Sequence, residues 1–344
     1  MPPPAEPSTD ADRAAGALWG LALGDALGMP TQMLSRAEIL ARWGPVLPWF
    51  EQADPGQPLA AGLPAGHVTD DTEQAVLLAR LLVSGQGRVS PLQLADALAA
   101  WEADLRARGS ADLLGPSTKR AVDAVRVGVP ASDAGRQGDT NGAAMRIAPL
   151  GIAASATELG RLVERVVEVS SLTHGTGIGL AGAAAVCAAV SAGIDGEGPD
   201  AVRQIAIDAA RLAARRGVWV AGADVAARID WACDLVRGLR VEDAVDLIAT
   251  LVGTSLATQE SVPAAFAVVS LFPLDPWSVV RVAASLGGDT DTIGAMAGAI
   301  AGAAAGASRL PADAVRVVRQ INGLDLDPLA AALLELRHED AETP

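Results

Sequence analysis

The sequence predicts an all-α fold in one globular domain. Three observations carry that prediction. Apolar residues recur at three- and four-residue spacing along most of the chain. No apolar–polar alternation of strand length is present. The composition is rich in Ala, Gly, Leu and Val, with three Phe and no Tyr, which suits closely packed helices. Half of the 344 residues are hydrophobic, enough for a large core.

Taken in order, residues 1–12 are Pro-rich and polar and read as a disordered tail, without the basic and apolar regions of a signal peptide. The domain is expected over residues 13–338. Residues 13–28 read as a helix, with Ala17, Leu18, Leu21, Ala22 and Ala26 at helical spacing and Pro30 ending it. Ser35 can cap a short helix to Trp43. Residues 44–66 are a loop broken by Pro45, Pro48, Pro55, Pro58 and Pro64. Ordered loops of that length tend to be functional. Thr69 opens a helix to Val83, and Ser90-Pro91 opens one to Arg108.

Leu113-Leu114-Gly115-Pro116-Ser117-Thr118 precedes a helix over 119–127. A Gly-rich loop over 135–142 enters a helix that Pro149 cuts. A helix over 156–173 leads into His174-Gly175-Thr176-Gly177. Residues 177–194 are uncharged and long enough to raise a membrane span. Their Ala/Gly composition transfers poorly to lipid, so they read as a buried helix. Further helices are expected over 199–216, 220–237, 241–252, 261–272, 276–285, 293–307, 312–321 and 328–337.

The formal charge of −15 argues against nucleic-acid backbone and anionic membrane as partners. Cys187 and Cys233 are the only cysteines, and both lie in apolar helical patterns. They read as buried free thiols rather than a disulfide or a metal pair. The sum is a cytoplasmic protein.

Two stretches carry the chemistry. Gly287-Gly288-Asp289-Thr290-Asp291-Thr292 stands before an Ala/Gly-rich helix, and Thr69-Asp70-Asp71-Thr72-Glu73 starts another. Each supplies a hydroxyl and two carboxylates: Thr69, Asp70 and Asp71 in one, Asp289, Asp291 and Thr292 in the other. Hard divalent ions prefer such oxygen donors, and four carboxylates would be balanced by two of them. Each stretch alone is also an acceptable helix start, Asp70 with Glu73 forming a capping box. Sequence spacing does not show whether they meet. The loop Gly138-Asp139-Thr140-Asn141-Gly142 could hold a phosphate with its N–H groups; an ordinary helix-entry turn accounts for it equally. His174, in a polar turn between helices, is a candidate ligand contact. Trp43, Trp49 and Phe50 could stack on a base, although packing is the simpler role. No nucleophile elbow or Cys/His constellation is present.

Together these motifs resemble the ADP-ribosylglycohydrolases, a family that includes the dinitrogenase reductase-activating glycohydrolase and the ADP-ribosylarginine and ADP-ribosylserine hydrolases. The resemblance runs in order from Gly16-Ala17-Leu18-Trp19-Gly20 and Gly24-Asp25-Ala26-Leu27-Gly28 through Thr69-Asp70-Asp71-Thr72, Asn141-Gly142-Ala143-Ala144-Met145-Arg146 and Thr173-His174 to Gly287-Gly288-Asp289-Thr290-Asp291-Thr292-Ile293-Gly294. It implies an all-α domain with two Mg²⁺ or Mn²⁺ ions in a cleft. Thr69, Asp70, Asp71, Asp289, Asp291 and Thr292 match the metal ligands, with Asp289 and Asp71 as the catalytic carboxylates. Gln32, Asn141, Gly142, His174 and Gly288 match the substrate-binding positions, Asn141-Gly142 in the segment that holds the diphosphate. The implied reaction is hydrolysis at C1 of the ribose of an ADP-ribosylated substrate, releasing ADP-ribose. Gln32 stands where many members have Glu, and it cannot act as a base. The stretches 114–119 and 141–151 look closest to a bacterial subgroup. Small N- or O-ribosides and nucleosides are therefore alternative substrates, and a non-catalytic ADP-ribose-binding protein is the alternative outside enzymes.

Overall fold

The computed structural model describes residues 8–107 and 115–342. Within them the chain folds as α-helices and short helical turns joined by loops. No β-strand occurs among the described residues; two isolated bridges, Thr140 with Ala257 and Thr176 with Val218, tie loops together. The expected helices are present, with shifted ends. Thr9 caps a first helix that runs Asp10–Gly28, so residues 10–12 are helical rather than part of a tail. Residues 1–7, Arg108 and Leu113-Leu114, which the sequence reading also addresses, lie outside the described residues. Pro149 does not cut a helix. It sits in the first turn of a new one, Ala148–Ala153, which follows Gly142–Arg146, where its missing N–H costs nothing. Residues 220–224 are not helical, because Asp224 caps the next helix, Val225–Val236, from outside.

The first helix packs antiparallel along the Thr290–Ala305 helix, and the contact between them is a seam of glycines. Gly16 faces Gly302, Gly20 faces Gly298 and Gly24 faces Gly294. A Cβ added at Gly20 would lie 2.1 Å from the carbonyl oxygen of Gly298, and one at Gly24 would lie 2.0 Å from that of Gly294. No side chain fits there, so the backbones touch. The four-residue spacing keeps all these glycines on one helix face. The seam ends at Gly28, against the backbone of Thr290 and Asp291. It thereby fixes the start of the Thr290–Ala305 helix beside the end of the first.

The Gly177–Ile194 helix is the centre of the core. It packs on Leu159–His174, Pro199–Ala214, Ala148–Ala153 and Thr290–Ala305. It is long and apolar enough to cross a membrane, but 94% of it is buried inside the protein. Its Ala and Gly residues let neighbouring helices approach from all sides.

Candidate active site

The two acidic stretches meet. Thr69 stands at the head of the Asp70–Ser84 helix, and Asp289 at the head of Thr290–Ala305. Thr292 Oγ1 lies 3.4 Å from Asp71 Oδ2, and Thr69 Oγ1 lies 3.2 Å from the same atom. Asp71, Asp291, Thr69 and Thr292 are buried, whereas Asp70 and Asp289 are partly exposed. The latter pair marks the open side. The capping box expected between Asp70 and Glu73 does not form: Glu73 instead accepts from the Trp101 indole N–H at 2.6 Å. The Thr69 side chain does not cap the helix either.

A fifth carboxylate joins this group. Asp25, on the last turn of the first helix, has no exposed surface. Its carboxylate accepts from the Thr69 N–H at 2.9 Å and hydroxyl at 2.8 Å, and from the Thr72 N–H at 3.1 Å and hydroxyl at 2.5 Å.

Burial of so many acids strains their ionisation. Asp25 is pushed up to about 6 by loss of solvent, against the pull of its Thr69 and Thr72 donors. Asp70, Asp71 and Asp291 are held well above the usual carboxylate range, first by burial and then by one another's charges and those of Asp25 and Asp289. Asp289 is raised by burial, opposed by its bonds from Asn141 and Thr292. Such mutual elevation is what close carboxylates show without a counter-charge. Asp71 Oδ1 and Asp291 Oδ1 are buried and have no hydrogen-bond partner among the described residues. No three His, Cys, Asp or Glu side chains among the described residues converge as a ready-made metal shell. Several acids instead spend an oxygen on a neutral donor, Asp70 on Gln74 and Asp289 on Asn141.

Around the acids runs a chain of neutral partners and one cation. Gln74 Nε2 donates to Asp70 Oδ2 at 3.0 Å, and Arg146 donates to Gln74 Oε1 at 2.8 Å and to Thr173 Oγ1 at 2.6 Å. Burial lowers Arg146 to about 10, opposed by the Asp70 charge, so it stays protonated at neutral pH. His174 is the last residue of Leu159–His174, fully buried, not an open turn residue. Its Nδ1 lies 2.8 Å from Thr173 Oγ1 and its Nε2 3.1 Å from Thr140 Oγ1. Burial and the charges of Arg146 and Arg120 hold the imidazole neutral. Thr140 Oγ1 also donates to Ser117 Oγ at 2.9 Å and Thr173 Oγ1 to the Ser170 carbonyl at 3.4 Å, so the ring is held between two hydroxyls. His174 thus sits beneath the Thr140–Gly142 loop, its ring against Gly142. Asn141 has committed its donors: its N–H goes to Leu256 O, and its Nδ2 goes to Asp289 Oδ2 at 2.5 Å and Ser261 Oγ at 3.0 Å.

Gly288 pairs with the turn after the first helix, Met33 N–H donating to Gly288 O at 2.7 Å and Gly288 N–H to Leu34 O at 2.9 Å. Gln32 is buried beside it, with Nε2 unpartnered among the described residues. The Pro-rich loop is fastened there: Gln57 Nε2 donates to the Gln32 carbonyl at 3.1 Å, and Met29 packs with Ala53, Ala60 and Leu63. Trp49 packs edge-on against Phe50 and Trp277, with ring centroids 5.2 and 5.4 Å away, so it serves packing.

The sequence profile of the ADP-ribosylglycohydrolase family matches residues 6–343. The chain belongs to the ADP-ribosylglycohydrolase family. As a family member it is a hydrolase. It is 36% identical over 332 residues to the uncharacterized protein YegU of Escherichia coli (strain K12), covering 95% of this chain and 98% of that one. It is 32% identical over 283 residues to an uncharacterized protein of Archaeoglobus fulgidus, covering 81% and 83%. Over 143 residues it is 32% identical to the ADP-ribosyl-[dinitrogen reductase] glycohydrolase of Rhodospirillum rubrum, covering 41% and 45%. Among solved structures, an ADP-ribosylglycohydrolase-related protein complex shares the fold, with a TM-score of 0.67 at 24% identity and coverage of 95% and 98%. Within this family member the site residues that sequence reasoning missed are Asp25, Thr72, Gln74, Arg146 and Ser261. Asp25 and Arg146 stand inside quoted motifs, and an acid or a base in an otherwise apolar helical run is the signal that could have found them.

Proposed function

We propose that this chain hydrolyses the glycosidic bond at C1 of the ribose of an ADP-ribosylated substrate, releasing ADP-ribose, with two divalent cations, Mg²⁺ or Mn²⁺. The observation that carries the reading is the meeting of two hydroxyl-and-carboxylate stretches around the buried, unpartnered oxygens of Asp71 and Asp291. Hard oxygen donors of this kind suit those ions. Five buried or half-buried carboxylates less the Arg146 guanidinium leave four negative charges, which two divalent cations balance. Thr69, Asp70, Asp71, Asp289, Asp291 and Thr292 would hold them. Bound there, the cations would supply polarisation of the ribose oxygens and a more acidic water.

The chain's own residues do the rest. Asp289 takes the general-base role in this reading: it is partly exposed and its Oδ2 is fixed by Asn141. Asp71, deeper, has the Thr292 hydroxyl 3.4 Å from its Oδ2. Neutral His174 holds the Thr140–Gly142 loop from below through Thr140, and Gly288, with the Thr254 carbonyl where a side chain would stand, fixes the turn that presents Asp289.

A second reading, hydrolysis of a small riboside, is favoured by two details. Asn141 spends its donors on protein rather than offering them to a diphosphate, and Gln32 is neutral. The test is ADP-ribose release from arginine-, serine- and nucleotide-linked substrates with Mg²⁺ or Mn²⁺, beside a nucleoside panel, for wild type and Asp291→Ala. The expected result is release by wild type, with metal content and rate reduced about 100-fold or more in Asp291→Ala, beyond the usual loss for an outer-shell partner. Turnover of unphosphorylated ribosides alone would transfer the assignment to the second reading. Retained metal and activity in Asp291→Ala would refute the cation site.

A further inference from the structure

The seam brings the site one carboxylate more than the proposed ligands use. We propose that Asp25 is a positioning residue that takes over the capping of the Asp70–Ser84 helix and so frees the Thr69 hydroxyl oxygen for a cation. This inference rests on the cation site proposed above.

At an ordinary helix start the Thr69 oxygen would accept a backbone N–H of the first turn, which would take one of its two lone pairs and turn it toward the helix. Thr69 makes no such bond. Asp25 accepts the Thr72 N–H in its place, from another helix, and takes the Thr69 N–H as well. The Thr69 hydroxyl oxygen lies 2.8 Å from Asp25 Oδ1 and 3.2 Å from Asp71 Oδ2, so its one proton goes to the nearer acceptor, Asp25. With its proton turned to Asp25, the Thr69 oxygen keeps its lone pairs toward the acids, and Asp71 keeps its charge for a cation. The Thr72 hydroxyl, 2.5 Å from Asp25 Oδ2, holds the carboxylate in that orientation. The backbone beside Asp25 is packed directly on another helix, since its neighbour Gly24 lies against the Gly294 backbone. Outer-shell carboxylates of this kind orient a ligand and raise its basicity.

A mere helix cap would contribute stability and nothing else, so the readout must be cation affinity. Full-length wild type, Asp25→Asn, Thr72→Val and Thr72→Ser are stripped with EDTA and titrated with Mn²⁺ by calorimetry, with thermal unfolding of each metal-free protein measured alongside. Asp25→Asn keeps the shape but cannot accept all four bonds. Its Kd for Mn²⁺ is expected to rise 10- to 100-fold. Thr72→Val shifts it in the same direction by less, and Thr72→Ser restores the wild-type value. Wild-type affinity in both Asp25→Asn and Thr72→Val overturns the proposal, whatever their melting temperatures do. If Asp25→Asn does not fold, the Thr72 pair decides alone, equal affinities of the two overturning it. A wild type that binds no Mn²⁺ refutes the cation site itself and this proposal with it, a result seen before any variant is compared.

Discussion

Cys187 has no exposed surface and Cys233 very little. Burial pushes the first thiol up to about 12 and the second up to about 11. Both therefore remain protonated well above neutral pH, and the thiolate is the form that reacts. At pH 8 the native protein is expected to give no reaction with a disulfide reagent over minutes, while the guanidinium-unfolded chain releases two equivalents; a fast native equivalent would contradict the burial. At this same scale the two acidic stretches were legible, because each sets a hydroxyl and two carboxylates at a helix start. Asp25 was not, since its role is set by Thr69 and Thr72, which the fold brings to it. Nor was the depth of His174. A histidine between Thr and Gly reads as a loop residue, and only the packing of the Thr140–Gly142 loop over its ring buries it.

Among the elements, the two helices of the glycine seam carry the sharpest expectation. Gly20→Ala would place a methyl 2.1 Å from the Gly298 carbonyl oxygen. Backbone cannot give way as a side-chain tip can, so the helices must part, at a cost of about 1–3 kcal/mol or more. Gly160, exposed in the first turn of Leu159–His174 with open space around it, takes the same methyl without conflict. There Gly160→Ala should stabilise by about 0.4–1 kcal/mol through the unfolded chain. Denaturant midpoints of the two variants should thus move in opposite directions. Gly24→Ala should do what Gly20→Ala does and weaken Mn²⁺ binding as well, because Gly294 lies one turn past Asp291. Helical spacing sufficed to find these elements. Their ends were less legible: Thr9 and Asp224 cap from positions that apolar spacing does not mark. The seam itself stands in the sequence as glycines four apart, but its partner could be paired only by the fold.

For the molecule as a whole, an acidic chain that concentrates carboxylates in its interior should depend on a cation for stability. A ligand bound only by the folded state at about 100 times its Kd adds about 2.7 kcal/mol. The melting temperature of the EDTA-treated protein should rise by several degrees with Mn²⁺ and fall back on chelation; equivalent ionic strength from NaCl should do far less, since buried charges are poorly screened. A melting temperature indifferent to Mn²⁺ would count against the cation site. The one-domain, all-α character was legible from composition and spacing, because helices need only local pattern. That the two acidic stretches face each other was not, since it is a property of the seam.

That seam also sets a clock. Gly16 emerges from the ribosome early, and Gly302 only when most of the chain has been made. Until then the first helix lacks its main partner, and Asp25 has only the Thr69 half of the site for company. Pairings this distant in sequence form late and slowly. The two acidic stretches therefore stand together only once the Thr290–Ala305 helix has been made and has closed on the first.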